Sequence, residues 1–220
     1  ILNNLAKKLT KDRFTNGAIS LEQEEVKFVL DPKGVPIKVI KKERGDSNKL
    51  IEEFMLLANK HVAKFLSPKK NKKGAGEENI SLYRIHDFPS KEKMEDLAFF
   101  LRNLGYKISL HDGIIPNHEI NTLLYKLEGK SEADTVHRAV IRSMAKAIYS
   151  TKNIGHYGLA FEYYTHFTSP IRRYPDIIVH RLLMEHLENK KSKGNFQKTF
   201  MEYERIARIS SEQEKRASIL

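Results

Sequence analysis

The 220 residues include no Cys, 40% are hydrophobic, and 39 Lys and Arg face 28 Asp and Glu, a formal net charge of +11. Without Cys there is no disulfide framework, thiolate metal site or cysteine nucleophile, and the apolar share suffices for an ordinary core, so disorder is not the default. The apolar runs, such as Phe54 to Ala58, are too short to span a bilayer, and the basic surplus either favours a polyanionic partner through counterion release or simply serves solubility.

The opening Ile1-Leu2-Asn3-Asn4 has no Met and no charged region leading into an apolar core; it reads like the middle of a helix, so residues are expected to precede it. Leu2, Leu5, Ala6 and Leu9 predict a helix over Leu2 to Phe14, closed by the turn signal Asn16-Gly17. Ala18 to Leu21 reads as a strand. Val26 to Ile40 reads as a hairpin turned by Asp31-Pro32-Lys33-Gly34, with Pro second and Gly fourth as a type I turn prefers. Leu50, Phe54, Leu57, Ala58, His61 and Phe65 mark one face of a long helix capped by Ser47.

Lys69 to Asn79 reads as a mobile surface loop and Leu82 to Asp87 as a short strand or extended connector. Ser90 caps a helix carrying Met94, Leu97, Leu101 and Leu104 and stopped by Gly105. Further helices are expected over Asn117 to Leu127, Glu132 to Tyr149, Pro170 to Leu187, and from about Phe196 onward; Gly155 to Phe167 reads as a strand or extended loop. The fold class expected is α+β, mainly helical, with an early hairpin and a few strands of a mixed sheet. No internal repeat and no domain linker is seen.

The chemistry concentrates in His156-Tyr157-Gly158-Leu159-Ala160, in Tyr164-Thr165-His166-Phe167-Thr168-Ser169-Pro170-Ile171-Arg172-Arg173-Tyr174-Pro175-Asp176, and in His180-Arg181-Leu182-Leu183. Ser169 followed by Pro170 has the pattern of an N-cap and a first helical residue, which would put Arg172 in the first turn, where free N–H groups and the helix dipole favour an anion. Arg172 and Arg173 each carry a planar fork suited to phosphate oxygens, although Arg173 is also spaced to pair with Asp176. Pro175 predicts a kink or a restart of the helix. His156, His166 and His180 lack the paired spacing of metal ligands and are assigned structural roles.

This string resembles the signature of the ribonuclease R/ribonuclease II family, with its His-aromatic-Gly opening and Thr-Ser-Pro-Ile-Arg-basic-aromatic-x-Asp continuation. Supporting matches lie at Asn48 to Asn59, Tyr83 to Asp87 and Ala139 to Tyr149, so the resemblance covers nearly the whole chain and is closer to ribonuclease R. It implies residues 1–220 as the C-terminal part of an RNB catalytic domain, without the family's upstream metal-binding part or its flanking RNA-binding β-barrels. It also implies hydrolytic, processive 3′-to-5′ degradation of RNA to nucleoside 5′-monophosphates in the complete protein, with Mg2+, in the cytoplasm, acting on single-stranded RNA with a free 3′ end and working beside other RNA-decay proteins.

By the same resemblance Arg172 stands against the scissile phosphate and Glu214 near the reaction centre, with Glu212 a neighbour of the same type. Glu52 and Asn59, two turns apart on one helix, are implied at the terminal ribose, where a 2′-hydroxyl separates RNA from DNA. Arg173 and Tyr174 complete the implied RNA contacts. Without the family, Glu52 reads as a solvated helix charge. Leu21 stands near where the family often has a base-stacking aromatic, which puts stacking there in doubt. No Asp-x-Asp-Asp arrangement occurs, so metals have few ligands here and the chain alone is expected not to hydrolyse RNA. The alternative function is a non-catalytic RNA-binding module; a basic protein-binding scaffold would need an exposed apolar patch.

Overall fold

The computed structural model describes residues 1–20, 26–41, 44–67, 80–188 and 199–217. They fall into two units, one formed by Ile1–Glu53 with Pro89–Met144 and the other by Phe54–Phe88 with Ala145–Leu220. The expected loop at Lys69 to Asn79 and the position of Leu21 lie outside the described residues.

In the first unit, helix α1 (Leu2–Thr15) ends at Asn16, and Gly17 takes φ 95° to turn the chain, a conformation that costs glycine little. The strand expected at Ala18 does not form over Ala18 to Ser20. That backbone is buried and satisfied instead by side-chain amides: Asn117 Nδ2 donates to Gly17 O, and Asn121 donates to Ala18 O and accepts from the Ser20 N–H. Two amide side chains replace a neighbouring strand.

Strand β1 (Val26–Leu30) pairs antiparallel with β2 (Pro36–Lys41), Phe28 opposite Val39, as the hairpin reading requires. The Asp31 carboxylate accepts from the N–H groups of Lys33 and Val35, both at 2.8 Å, and Gly34 adopts φ 82°. Helix α2 (Asp46–Leu66) starts before Ser47, which therefore does not cap it; Asn48 Oδ1 instead accepts from the Gly45 N–H. Its buried positions are Glu53, Asn59, Ala63 and Leu66, while His61 and Phe65 face solvent. The apolar face read from periodicity is thus rotated, because two polar residues on the buried side find partners inside.

Helix α3 (Lys91–Asn103) has Ser90 at its N-cap accepting from the Lys93 N–H, and Gly105 follows with φ 88°. Helix α4 (Asn117–Leu127) buries Ile120, Leu123, Leu124 and Leu127. Helix α5 (Ala133–Ser143) packs against α3 and α4 through Val136 and Val140 and stops at Met144, short of the Tyr149 expected. Met144 is extended, and the chain leaves the helix to build a strand in the other unit.

In the second unit, β3 (Tyr83–Ile85) pairs antiparallel with β4 (Ile148–Ser150). Helix α6 (Tyr174–Leu187) packs on α7 (Phe200–Ala217), and α7 packs on β4. Leu66, Leu82, Tyr149, Ile178, Val179, Tyr203 and Ala207 form the core of this unit. The fold class is α+β and mainly helical, as expected, and the strands among the described residues form two antiparallel pairs. No helix among these residues is long and apolar enough to cross a membrane.

Candidate nucleic-acid interface

The signature segment is held residue by residue. Thr165 Oγ1 donates to Leu82 O beside β3. The Phe167 N–H donates to Asn59 Oδ1 at 3.1 Å, its carbonyl accepts from His180 Nε2 at 2.9 Å, and its ring stacks on His180 at 4.0 Å. The Ser169 N–H donates to Asp176 Oδ1 at 2.8 Å. Alternate residues of an extended segment point to one side, so Thr165, Phe167 and Ser169 are pinned to α2, β3 and α6, while His166 turns to Tyr149, whose hydroxyl lies 2.8 Å from its Nδ1.

After Ser169 the chain makes a turn, not the helix start read from Ser169-Pro170. Ser169 O accepts from the N–H groups of Arg172 and Arg173, and α6 begins only at Tyr174 with Arg173 as its N-cap and Pro175 in its first turn. Pro175 marks the restart that its fixed φ demands. Arg173 Nη2 donates to Asp176 Oδ1 at 2.8 Å, so the ion pair that its spacing allows is formed. Arg172 is exposed, and its guanidinium has no hydrogen bond or ion pair among the described residues.

Behind the segment lies a buried set of histidines and tyrosines. His86 Nε2 donates to Ala145 O and its Nδ1 accepts from the Gly158 N–H, which defines a neutral ring. Burial, then the neighbouring His86 and Arg84, push His156 down to about 3. Burial, followed by Arg173, Arg84, His156 and Arg172, pushes His166 down to about 2. Desolvation lifts the Tyr149 hydroxyl to about 12. Desolvation, with three arginines adding to it, disfavours a proton on the half-buried His166 ring. His156, His166 and His180 are each half-buried and each meets another ring or a backbone group.

The remaining expected residues are placed as follows. Glu214 lies on α7, and its carboxylate accepts from Arg84 Nη1 at 2.6 Å, while that guanidinium stands 4.6 Å over the Tyr149 ring. Tyr174 is half exposed at the start of α6. Asn59 is 3% exposed, donates to the Tyr164 hydroxyl as well as accepting from Phe167, and so is engaged on both sides. Glu52 belongs to the first unit, where it pairs with Arg44 at 3.3 Å. Sequence reasoning passed over Arg84, which holds Glu214; the pairing of Asp176 with Arg173 was foreseen from their spacing, but not its hold on the Ser169 N–H.

Among the described residues no group of three or more His, Asp or Glu is placed to hold a metal ion. Asp176 and Glu214 are each paired with an arginine, Arg173 and Arg84. A cleft of about 1920 Å³ in the first unit is lined by residues such as Asn16, Asn48, His118, Asn121 and Arg138 and includes none of the signature residues.

Residues 1–189 match the model of the RNB domain, and the chain belongs to that family. It is 37% identical to ribonuclease R of Aquifex aeolicus over 98% of this chain and 29% of that protein. It is 42% identical to ribonuclease R of Thermotoga maritima over 84% of this chain and 25% of that protein. Among solved structures, Mycoplasma genitalium RNase R in complex with ribose methylated single-stranded RNA superposes with a TM-score of 0.83 at 29% identity, over 97% of this chain and 32% of that one. The chain thus spans under a third of each of these relatives.

Proposed function

We propose that the whole protein degrades single-stranded RNA hydrolytically and processively from a free 3′ end, releasing nucleoside 5′-monophosphates, and that this chain supplies contacts to the RNA and to the scissile phosphate. The observation that carries this reading is Arg172. Its side chain is exposed and unpaired among the described residues, on a turn fixed at both ends, with Arg173 and Arg84 among the charges that act, after burial, on neighbouring His166. Preorganised donors of this kind stabilise charge on phosphoryl oxygens in the transition state.

Glu214, oriented by Arg84, would stand at the reaction centre, and Tyr174 and Arg173 would flank the RNA. Glu52 would face the ribose, whereas Asn59 would act by holding the segment. Mg2+ would be held by residues outside this chain, since the donors described here do not form a site. The residues 1–220 are then the C-terminal part of a catalytic domain working in the cytoplasm beside other RNA-decay proteins. The same lack of donors favours, for the chain in isolation, the second reading of an RNA-binding module.

The test is hydrolysis of a single-stranded RNA with an accessible 3′ end in Mg2+, comparing the full-length protein, its Arg172→Ala variant and this chain alone. Expected are monophosphate products from the full-length protein, a fall of roughly a hundredfold or more in rate for Arg172→Ala with binding nearly retained, and no hydrolysis by the chain alone. Full activity of Arg172→Ala would remove the arginine from the mechanism, and hydrolysis by the chain alone would mean that it holds its own metal site.

A further inference from the structure

We propose that Asp176 is the positioning residue for Arg172, an inference that rests on the reading of Arg172 given above. Asp176 is 0% exposed, and a single oxygen, Oδ1, accepts from both the Ser169 N–H and Arg173 Nη2, each at 2.8 Å. Ser169 O in turn accepts from the Arg172 N–H at 3.3 Å and the Arg173 N–H at 3.1 Å. One carboxylate oxygen therefore ties the first and last residues of the turn Ser169-Pro170-Ile171-Arg172-Arg173. Arg172 lies between the two ties, with its backbone fixed and its side chain directed by that backbone into solvent.

The energetics argue for geometry rather than stability. Asp176 Oδ2, Arg173 Nε and Thr168 Oγ1 are buried without a hydrogen-bond partner among the described residues. A buried ion pair with unsatisfied atoms is a poor source of folding energy compared with apolar packing of the same volume, and such arrangements serve best where one conformation must be specified. The upstream ties at Thr165 and Phe167 end before Ser169, so Asp176 is the last anchor before the arginine. Catalytic donors must be held to within about 0.5 Å of their productive position. A misplacement of about 1 Å removes up to roughly a hundredfold in rate. Loosening this turn should therefore act on the chemical step and leave RNA capture, spread over many contacts, little changed.

The experiment is a double-mutant cycle in the full-length protein with Mg2+ and a single-stranded RNA: wild type, Asp176→Asn, Arg172→Ala and the double variant, each read as kcat and KM. Asp176→Asn keeps an acceptor for Ser169 but removes the charge facing Arg173. Expected are a fall of roughly tenfold or more in kcat with KM within about threefold, and almost no further fall when Asp176→Asn is added to Arg172→Ala. Equal losses in both backgrounds, or an unchanged kcat in a folded Asp176→Asn protein, would overturn the proposal while leaving Arg172 in place. Full activity of Arg172→Ala alone would overturn the reading of Arg172 and this inference with it. If Asp176→Asn unfolds at the assay temperature, as judged by a thermal melt, Asp176→Glu, which keeps the charge and displaces the oxygen, is read in the same cycle against the same two outcomes.

Discussion

Arg13 and Glu53 show at the scale of single residues how the first unit is bound. Arg13 Nε and Nη2 both donate to Glu53 Oε1, and the two side chains are 9% and 5% exposed. Breaking such a pair leaves an uncompensated buried charge, so Arg13→Ala should cost about 3–5 kcal/mol, whereas replacing both partners with apolar residues of similar volume should cost far less. Urea unfolding of the single and double variants measures this, and equal losses in both would contradict the account. The pair also explains why the buried face of α2 is rotated from the one its apolar periodicity marks. Glu53 scores as a surface charge in any hydropathy pattern, and only its partner from α1 makes its burial tolerable.

At the scale of elements, the 3₁₀ turn Tyr157–Leu159 is fitted against β3 by Gly158. A Cβ built there would stand 2.8 Å from His86 Nδ1 and 3.1 Å from its Cε1. The His86 ring is held from both nitrogens and has little room to yield. Gly158→Ala should therefore destabilise the protein by about 1–3 kcal/mol, with loss of the Gly158 to His86 hydrogen bond. Denaturation checks the first effect and the imidazole NMR signals of His86 check the second; a change below about 0.5 kcal/mol would show that the ring gives way. The hairpin, α1, α3 and α4 were legible because their caps, turns and stripes are local. The overextension of α5 to Tyr149 and the early start assigned to α6 share a cause, since propensity cannot register that β4 is needed to pair with β3, or that Asp176 draws Ser169 into a turn.

At the scale of the whole molecule, two half-buried histidines contribute to the response to pH. His156 and His166 sit at about 3 and about 2 in the native protein against an ordinary 6.5. Above pH 6.5 neither state binds these protons; below it the unfolded chain takes them up and the native one does not, so stability falls as acidity rises. The loss should approach about 1 kcal/mol per pH unit for each histidine between pH 6.5 and 5. Urea unfolding at pH 7 and pH 5 measures it, and a His166→Gln variant should lose less between those values than the wild type. Equal stability at both values in the wild type would mean that these rings are protonated in the native state.

The sequence by itself determined the family, the mainly helical α+β class and the hairpin, and singled out the segment from His156 to Asp176, because a long signature and local turn and cap chemistry survive without knowledge of the fold. The tertiary structure decided which of two adjacent arginines is free, that Asn59 and Asp176 are buried anchors, and that Glu214 is held by Arg84. Each of these depends on a partner distant in the chain or on the course of the backbone between them, and a hydrogen bond across many residues leaves no periodic trace in composition or spacing. A polar residue is read as solvent-facing until the group that satisfies it is in place.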